Sequence, residues 1–135
     1  MPFPPDGFHR VAKDLKELKV PSGEGRHRTV VGRAYYSAYL ATCQAICRVH
    51  KIQPPGTMNH KVLSTSLAGF KGDPGVREFG ILLNSLRVSR VQADYLMANA
   101  VTEDAADDAV EDARKALDML QTVEKKLPKI DPSSY

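Results

Sequence analysis

The sequence predicts an all-α protein, an up-and-down bundle of four to five helices. Apolar residues recur at helical spacing in several segments, and turn-forming Pro and Gly clusters separate these segments. No segment shows the alternation of apolar and polar residues that is typical of a half-buried strand. The 135 residues, 42% of them hydrophobic, suffice for one domain with a single core. We therefore predict one domain over residues 1–135, with a core over 8–127 and a disordered or frayed tail over 128–135.

The turn signals divide the chain into five helical segments. The first covers Phe8–Lys19 and ends at VPSGEG, and the second covers Arg26–Lys51 and ends at QPPG. A short helix over Asn59–Phe70 and a long helix over Val76–Ala100 follow, with KGDPG between them. The last helix begins at Thr102, a residue type that caps helix N-termini, and continues to Leu127.

Two of these helices have distinct apolar patterns. In the last helix, mainly small apolar residues form one stripe: Ala106, Ala109, Val110, Ala113, Leu117 and Leu120. The second helix is apolar over most of its circumference, and only a narrow strip of basic and polar residues interrupts it. Because such a helix must be surrounded by neighbours, the sequence places the second helix at the centre of the bundle.

The long helix over residues 76–100 contains the most informative polar cluster. Arg90 projects into its apolar face, where an unpaired charge is costly. Arg87 and Asp94 lie three residues before and four residues after it, so the three side chains can form one hydrogen-bonded cluster. In a structural role, Asp94 neutralises Arg90. In a binding role, Arg33, Arg87 and neighbouring tyrosines suit a phosphate or an unstacked base.

Two further groups are candidates for chemistry. His60 and Lys61 directly follow a Pro-Pro-Gly loop, and they either cap a helix at the surface or face a cleft with the arginines. Cys43, Cys47 and His50 share one side of the second helix, but no second ligand pair accompanies them, and buried cysteine is common in cores. We predict no metal and no other cofactor.

Composition points to a cytoplasmic protein with no membrane partner. The chain has no apolar run long enough to span a bilayer and no apolar region typical of a secretory signal near its start. Its two cysteines fit free thiols in a reducing compartment. The net charge of +3 is carried by the first half of the chain, which is compatible with an anionic partner or with complementary helices.

Three motifs in order resemble the HEPN domain family: RAYYSAYLA in the second helix, NHK after the loop, and LRVSRVQADY in the helix over 76–100. The resemblance covers about Phe8 to Leu127. It implies a helical bundle, often dimeric, of the small stand-alone type that prokaryotes encode beside a nucleotidyltransferase in toxin–antitoxin or defence modules. Many members are metal-independent ribonucleases that use an arginine and a histidine separated by four to six intervening residues.

The chain departs from that ribonuclease pattern. The position that matches the histidine is Leu40, so the usual proton-transfer group is missing there. We therefore predict a nucleotide- or RNA-binding component of a two-gene module. Two alternatives are a ribonuclease with a non-standard site that uses His60 as its catalytic residue, and a pure protein-interaction module.

Specific residues carry these predictions. Arg33, Lys61 and Arg87 are expected to contact phosphate, and Tyr36 or Tyr95 to stack on a base. Arg90 and Asp94 are expected to hold the site together. A second apolar face of the helix over 76–100, formed by Ile81, Val88 and Tyr95, is a candidate surface for a homodimer or a nucleotidyltransferase partner, or else packs within the molecule.

Overall fold

A computed structural model of the chain describes residues 5, 7, 9, 10, 12, 13, 23–52, 58–95 and 101–130, with the backbone alone at 23–25, 94 and 95. Its helices are α1 (Gly23–His50), α2 (His60–Ala68), α3 (Pro74–Tyr95) and α4 (Glu103–Val123), and one 3₁₀ turn, Glu124–Lys126, follows α4. No strand occurs in this described part of the chain, and the predicted all-α bundle is confirmed.

Most of the first predicted helix, Phe8–Lys19, lies outside the described residues. Those that are described between positions 5 and 13 are helical, and three of them, Gly7, His9 and Ala12, are buried. The ring Nε2 of His9 lies 3.3 Å from the carbonyl oxygen of Val110 in α4. This segment therefore packs against α4.

Helix α1 is the central element, as its apolar circumference predicts. It packs against both α3 and α4, and its buried residues include Val30, Tyr35, Tyr39 and Ile46. At its end Lys51 adopts a left-handed backbone with φ of 53°, and the amide of Ile52 donates to the carbonyl of Cys47 over 2.9 Å. This hydrogen bond is typical of a Schellman motif. It gives a partner to a backbone carbonyl that would otherwise lack one at the end of the helix.

The contact between α2 and α3 is close because Gly80 lies at their crossing. A Cβ atom at this position would lie 2.3 Å from the backbone nitrogen of Ala68 and 2.3 Å from the carbonyl carbon of Leu67. No side chain fits between the two backbones. Gly80 therefore fixes α2, and the residues that begin it, against α3.

Helix α3 begins two residues earlier than the sequence pattern predicts. Asp73 caps it, since its Oδ1 accepts from the amide of Val76 over 3.0 Å, and Pro74 occupies the first helical position. The Asp-Pro pair that indicates a turn in the sequence is the start of the helix itself.

Helix α4 begins after its predicted cap, and it ends at Val123, four residues before the predicted Leu127. Thr102 caps it by accepting from the amide of Ala105 over 3.1 Å, and every residue of the predicted apolar stripe is buried. The packed part of the chain also extends beyond position 127, because Ile130 is only 5% exposed. Within the described residues, no helix is both long and apolar enough to cross a bilayer.

Candidate functional site

His60 is held by three tyrosines of α1. Its Nδ1 lies 2.6 Å from the hydroxyl oxygen of Tyr35, and its ring is stacked on Tyr39 with 4.0 Å between centroids. Tyr36 presents an edge-to-face contact to the same imidazole, at 5.8 Å and an interplanar angle of 75°. His60 is the first residue of α2, so these contacts attach the start of α2 to the central helix.

Tyr39 also fixes the backbone that leads into α2. Its buried hydroxyl donates to the carbonyl oxygen of Met58 over 2.6 Å and accepts from the Met58 amide over 3.0 Å. The next residue, Asn59, caps α2 by accepting from the amide of Val62 over 3.0 Å. Capping therefore belongs to Asn59, and the imidazole of His60 is available for another role.

Two arginines of α3 complete the group. The guanidinium carbon of Arg90 lies 5.6 Å from the ring centroid of Tyr36 and 6.0 Å from that of Tyr35, which are cation–π distances. Arg90 is half-buried at the edge of the bundle. We call His60, Tyr35, Tyr36, Tyr39, Arg87 and Arg90 together the His60 site.

Arg87 is held in place by neighbours from α2 and α3. Its Nε and Nη2 donate to Oδ1 of Asn84 over 3.1 and 3.0 Å, and its Nε lies 3.2 Å from the hydroxyl oxygen of Ser64. That hydroxyl is 3.0 Å from the carbonyl oxygen of His60. One edge of the guanidinium is thus occupied by protein, which orients it and ties α3 to the first turn of α2.

The electrostatics of the site follow from this packing. Burial lowers the pKa of His60, and the charges of Arg90 and Arg87 lower it further. Burial raises the pKa of Tyr35 well above its usual value, so its phenol keeps its hydrogen. At neutral pH the site therefore combines two guanidinium cations with an uncharged imidazole and an intact phenol.

The structure brings together part of the predicted site. His60, Tyr36, Arg87 and Arg90 lie at the His60 site. Lys61 is exposed beside it on α2, and Arg33 is exposed on α1.

Three further predicted positions are Asp94, Tyr95 and Leu40. The side chains of Asp94 and Tyr95 lie outside the described residues, so the predicted ion pair of Asp94 and the stacking role of Tyr95 stay predictions. Leu40, the position that the sequence predicts to match the histidine of HEPN ribonucleases, is partly buried and packs against the core.

Sequence reasoning missed Tyr35, Tyr39, Ser64 and Asn84 as parts of the site. The two tyrosines are buried on the apolar side of α1, where the helical pattern alone does not distinguish them from ordinary core residues. A buried phenol nevertheless needs a hydrogen-bond partner, and two such phenols one turn apart are a usable signal for a nearby polar group. Ser64 and Asn84 carry no comparable signal, because their roles arise only from the α2–α3 contact.

The cysteines and the other described histidines have different surroundings. Burial raises the pKa of the Cys43 thiol to about 11 and also raises that of Cys47, so neither is an activated nucleophile. His27 and His50 each bond a backbone carbonyl, over 3.1 and 2.7 Å. Among the residues that the structure describes, no three His, Cys, Asp or Glu side chains cluster as metal ligands would.

Comparison with known proteins identifies the family to which the chain belongs. The family model of the HEPN domain matches residues 8–125, most of the chain. The chain belongs to the HEPN family. No curated protein and no solved structure matches it significantly. HEPN domains are often ribonucleases or components of toxin–antitoxin systems, and they often dimerise. The resemblance inferred from the motifs is thus confirmed for the family, whereas the stand-alone type and the nucleotidyltransferase association stay proposals.

Proposed function

We propose that this HEPN domain binds RNA or a nucleotide at the His60 site. The observation that carries the proposal is the position of His60: it lies against Tyr35 and Tyr39 and close enough to Arg87 and Arg90 for both charges to depress its pKa. A cluster of cations and aromatic rings at the junction of three helices is the arrangement that binds a phosphate together with a base.

The charge of the site favours an anion. Arg87 and Arg90 are both half-buried, so water screens them less than it screens the charges of fully exposed side chains. The first turn of α2 contains no acidic residue, and the free amides of a helix N-terminus add partial positive charge next to His60. Lys61 is exposed at the same end of α2, and a phosphate at His60 would therefore meet positive potential from α2 and α3.

The aromatic part of the site suits a base. Tyr36 is half-buried, and its ring is already within cation–π distance of Arg90. Stacking of a base on such a ring or on a guanidinium plane is worth about 1–3 kcal/mol per base and does not depend strongly on base identity. Arg33 and Tyr95 remain additional proposed contacts.

A salt titration of RNA binding tests this proposal. Fluorescence anisotropy of a labelled short single-stranded RNA, and of labelled AMP, is measured against the wild type, Arg87→Gln and the control Arg77→Gln. Arg77 is an exposed arginine of the same helix, about 15 Å away along its axis. We expect the slope of log affinity against log salt to fall by about 0.7 for Arg87→Gln and to stay unchanged for the control.

Absence of binding to either probe at low salt would contradict the proposal and leave a protein-interaction module. Equal losses in the two variants would also contradict it, because they would show that net charge, and not the His60 site, attracts the RNA. A preference for AMP over the RNA would make the ligand a nucleotide.

One observation favours a second function, metal-independent RNA cleavage. HEPN ribonucleases pair an arginine with a histidine, and the structure supplies both residue types through His60 and the α3 arginines, although the usual histidine position is Leu40. Incubation of purified protein with tRNA and total RNA, without added metal, tests this function. Cleavage must occur with the wild type and be lost in His60→Ala; cleavage unchanged in the variant would exclude His60.

We also propose that the chain acts as a homodimer or with a nucleotidyltransferase partner in a two-gene toxin–antitoxin or defence module. The family tendency to dimerise supports this, as do two large apolar side chains on α3, Ile81 and Val88, which are 56% and 41% exposed. Light scattering after size exclusion should give a dimer mass for the wild type and a monomer mass for Ile81→Asp. A wild-type monomer at micromolar concentration would contradict the homodimer.

A further inference from the structure

The hydrogen bond between Tyr35 and His60 has only one arrangement that satisfies both groups. A phenol carries one hydrogen and two lone pairs, and a neutral imidazole carries its hydrogen on either Nδ1 or Nε2. Tyr35 is fully buried, and Nδ1 of His60 is the one described atom to which its hydroxyl bonds. If Nδ1 carried the hydrogen, the phenol hydrogen would be buried without an acceptor.

The arrangement in which the phenol donates avoids that cost. Tyr35 then gives its hydrogen to Nδ1, and the hydrogen of the imidazole lies on Nε2. The penalty for an unsatisfied buried donor corresponds to a preference of about tenfold or more for this form. The raised pKa of the phenol agrees with this direction, since it keeps the hydrogen on Tyr35.

We propose that Tyr35 is a positioning residue that holds His60 in the tautomer with hydrogen on Nε2, so that His60 offers a hydrogen-bond donor to a phosphate oxygen. This inference rests on the proposed function. His60 is half-buried, and its Nε2 has no hydrogen-bond partner among the described residues. It is therefore free to bind an acceptor that enters from outside.

The surroundings of His60 reinforce this role. Arg87 and Arg90 face it from α3, and the rings of Tyr36 and Tyr39 face it from α1. None of these groups offers a negative charge that would stabilise a protonated imidazole. With its hydrogen on Nε2, neutral His60 cannot accept a proton at that nitrogen. This tautomer therefore suits the binding of an RNA phosphate and argues against a general-base role in the second proposed function, RNA cleavage.

Nitrogen-15 NMR of the histidine side chains tests the inference in the RNA-free protein at pH 7.5. The signals of His60 are assigned by their loss in His60→Gln. We expect a protonated Nε2 and an unprotonated Nδ1 in the wild type. In Tyr35→Phe we expect a mixture of tautomers and a higher pKa for His60, because the donor that opposes protonation is gone. Tyr36→Phe, the matched control, removes the hydroxyl of the neighbouring ring and should leave both properties unchanged.

Hydrogen on Nδ1 in the wild type would overturn the inference. The wild-type spectrum alone tests the tautomer, even if Tyr35→Phe does not fold. Addition of the short RNA then separates the two proposals. A shift of the Nε2–H signal, together with about a tenfold loss of affinity in His60→Phe, supports the donor role. RNA that binds without moving this signal overturns the donor role alone, whereas RNA that does not bind removes the proposed function and leaves the tautomer established.

Discussion

Replacement of Gly80 by alanine tests how the His60 site is positioned. The new Cβ would lie 2.3 Å from two backbone atoms of α2, whereas ordinary contact begins at 3.4 Å. Helix α2 must therefore move away from α3 by about 1 Å. Both opposing atoms belong to the backbone and cannot rotate aside, so the clash is not relieved by a change of rotamer.

The energetic consequence follows from two opposing effects. Overpacking of a tight contact costs about 1–3 kcal/mol, and a clash against backbone belongs at the upper end. Alanine recovers about 1 kcal/mol over glycine through its helix propensity. We expect Gly80→Ala to lower the free energy of unfolding by about 2 kcal/mol, which corresponds to a decrease in Tm of about 6–10 °C for a domain of this size.

Urea denaturation followed by circular dichroism measures this change, with thermal melting as the second readout. Ser85→Ala is the matched control, because Ser85 is exposed on the same helix and gains helix propensity without a clash. The Ser85→Ala variant should be as stable as the wild type or slightly more stable. A Gly80→Ala variant as stable as the wild type would refute the reasoning, since α2 and α3 would then lie further apart than the structure shows.

Three further predictions concern Tyr39, His60 and Cys43. Tyr39→Phe should lower the free energy of unfolding by about 2–3 kcal/mol in urea denaturation, because the amide and carbonyl of Met58 both lose a buried partner. A decrease of less than about 0.5 kcal/mol would show that water replaces the hydroxyl. The free energy of unfolding should fall as the pH drops through 6.5 towards the lower pKa of folded His60, because the unfolded chain binds the proton first. His60→Gln should remove this part of the pH dependence. The same pH profile in wild type and variant would contradict the lowered pKa of His60. Native Cys43 should react slowly with iodoacetamide at pH 8 and rapidly in urea, as followed by mass spectrometry, and equal rates would contradict its raised pKa.

The fold was predictable because helical periodicity and turn signals are local. The apolar circumference of α1 correctly indicated a central helix, and Thr102 was correctly predicted as a cap. The start of α3 was misplaced because Asp73 and Pro74 fit a turn as well as the first turn of a helix, and only the hydrogen bond from Val76 distinguishes them.

The site was only partly predictable because its contacts are long-range. Tyr35 and His60 are 25 residues apart, and their bond exists only because α2 packs beside α1. The sequence identified His60 and Arg87 as candidates from their residue types. It could not show that Ser64 and Asn84 orient Arg87, since periodicity gives the face of a helix and not the neighbour that the face meets.

Ultraviolet cross-linking of a short single-stranded RNA, followed by mass spectrometry of the cross-linked peptides, tests most directly whether RNA binds at the His60 site. We predict cross-links at Tyr36 or His60, with a lower yield of both in Arg87→Gln and an unchanged yield in Arg77→Gln. Cross-links confined to α4, or unaffected by Arg87→Gln, would contradict the assignment of this site as the RNA-binding surface.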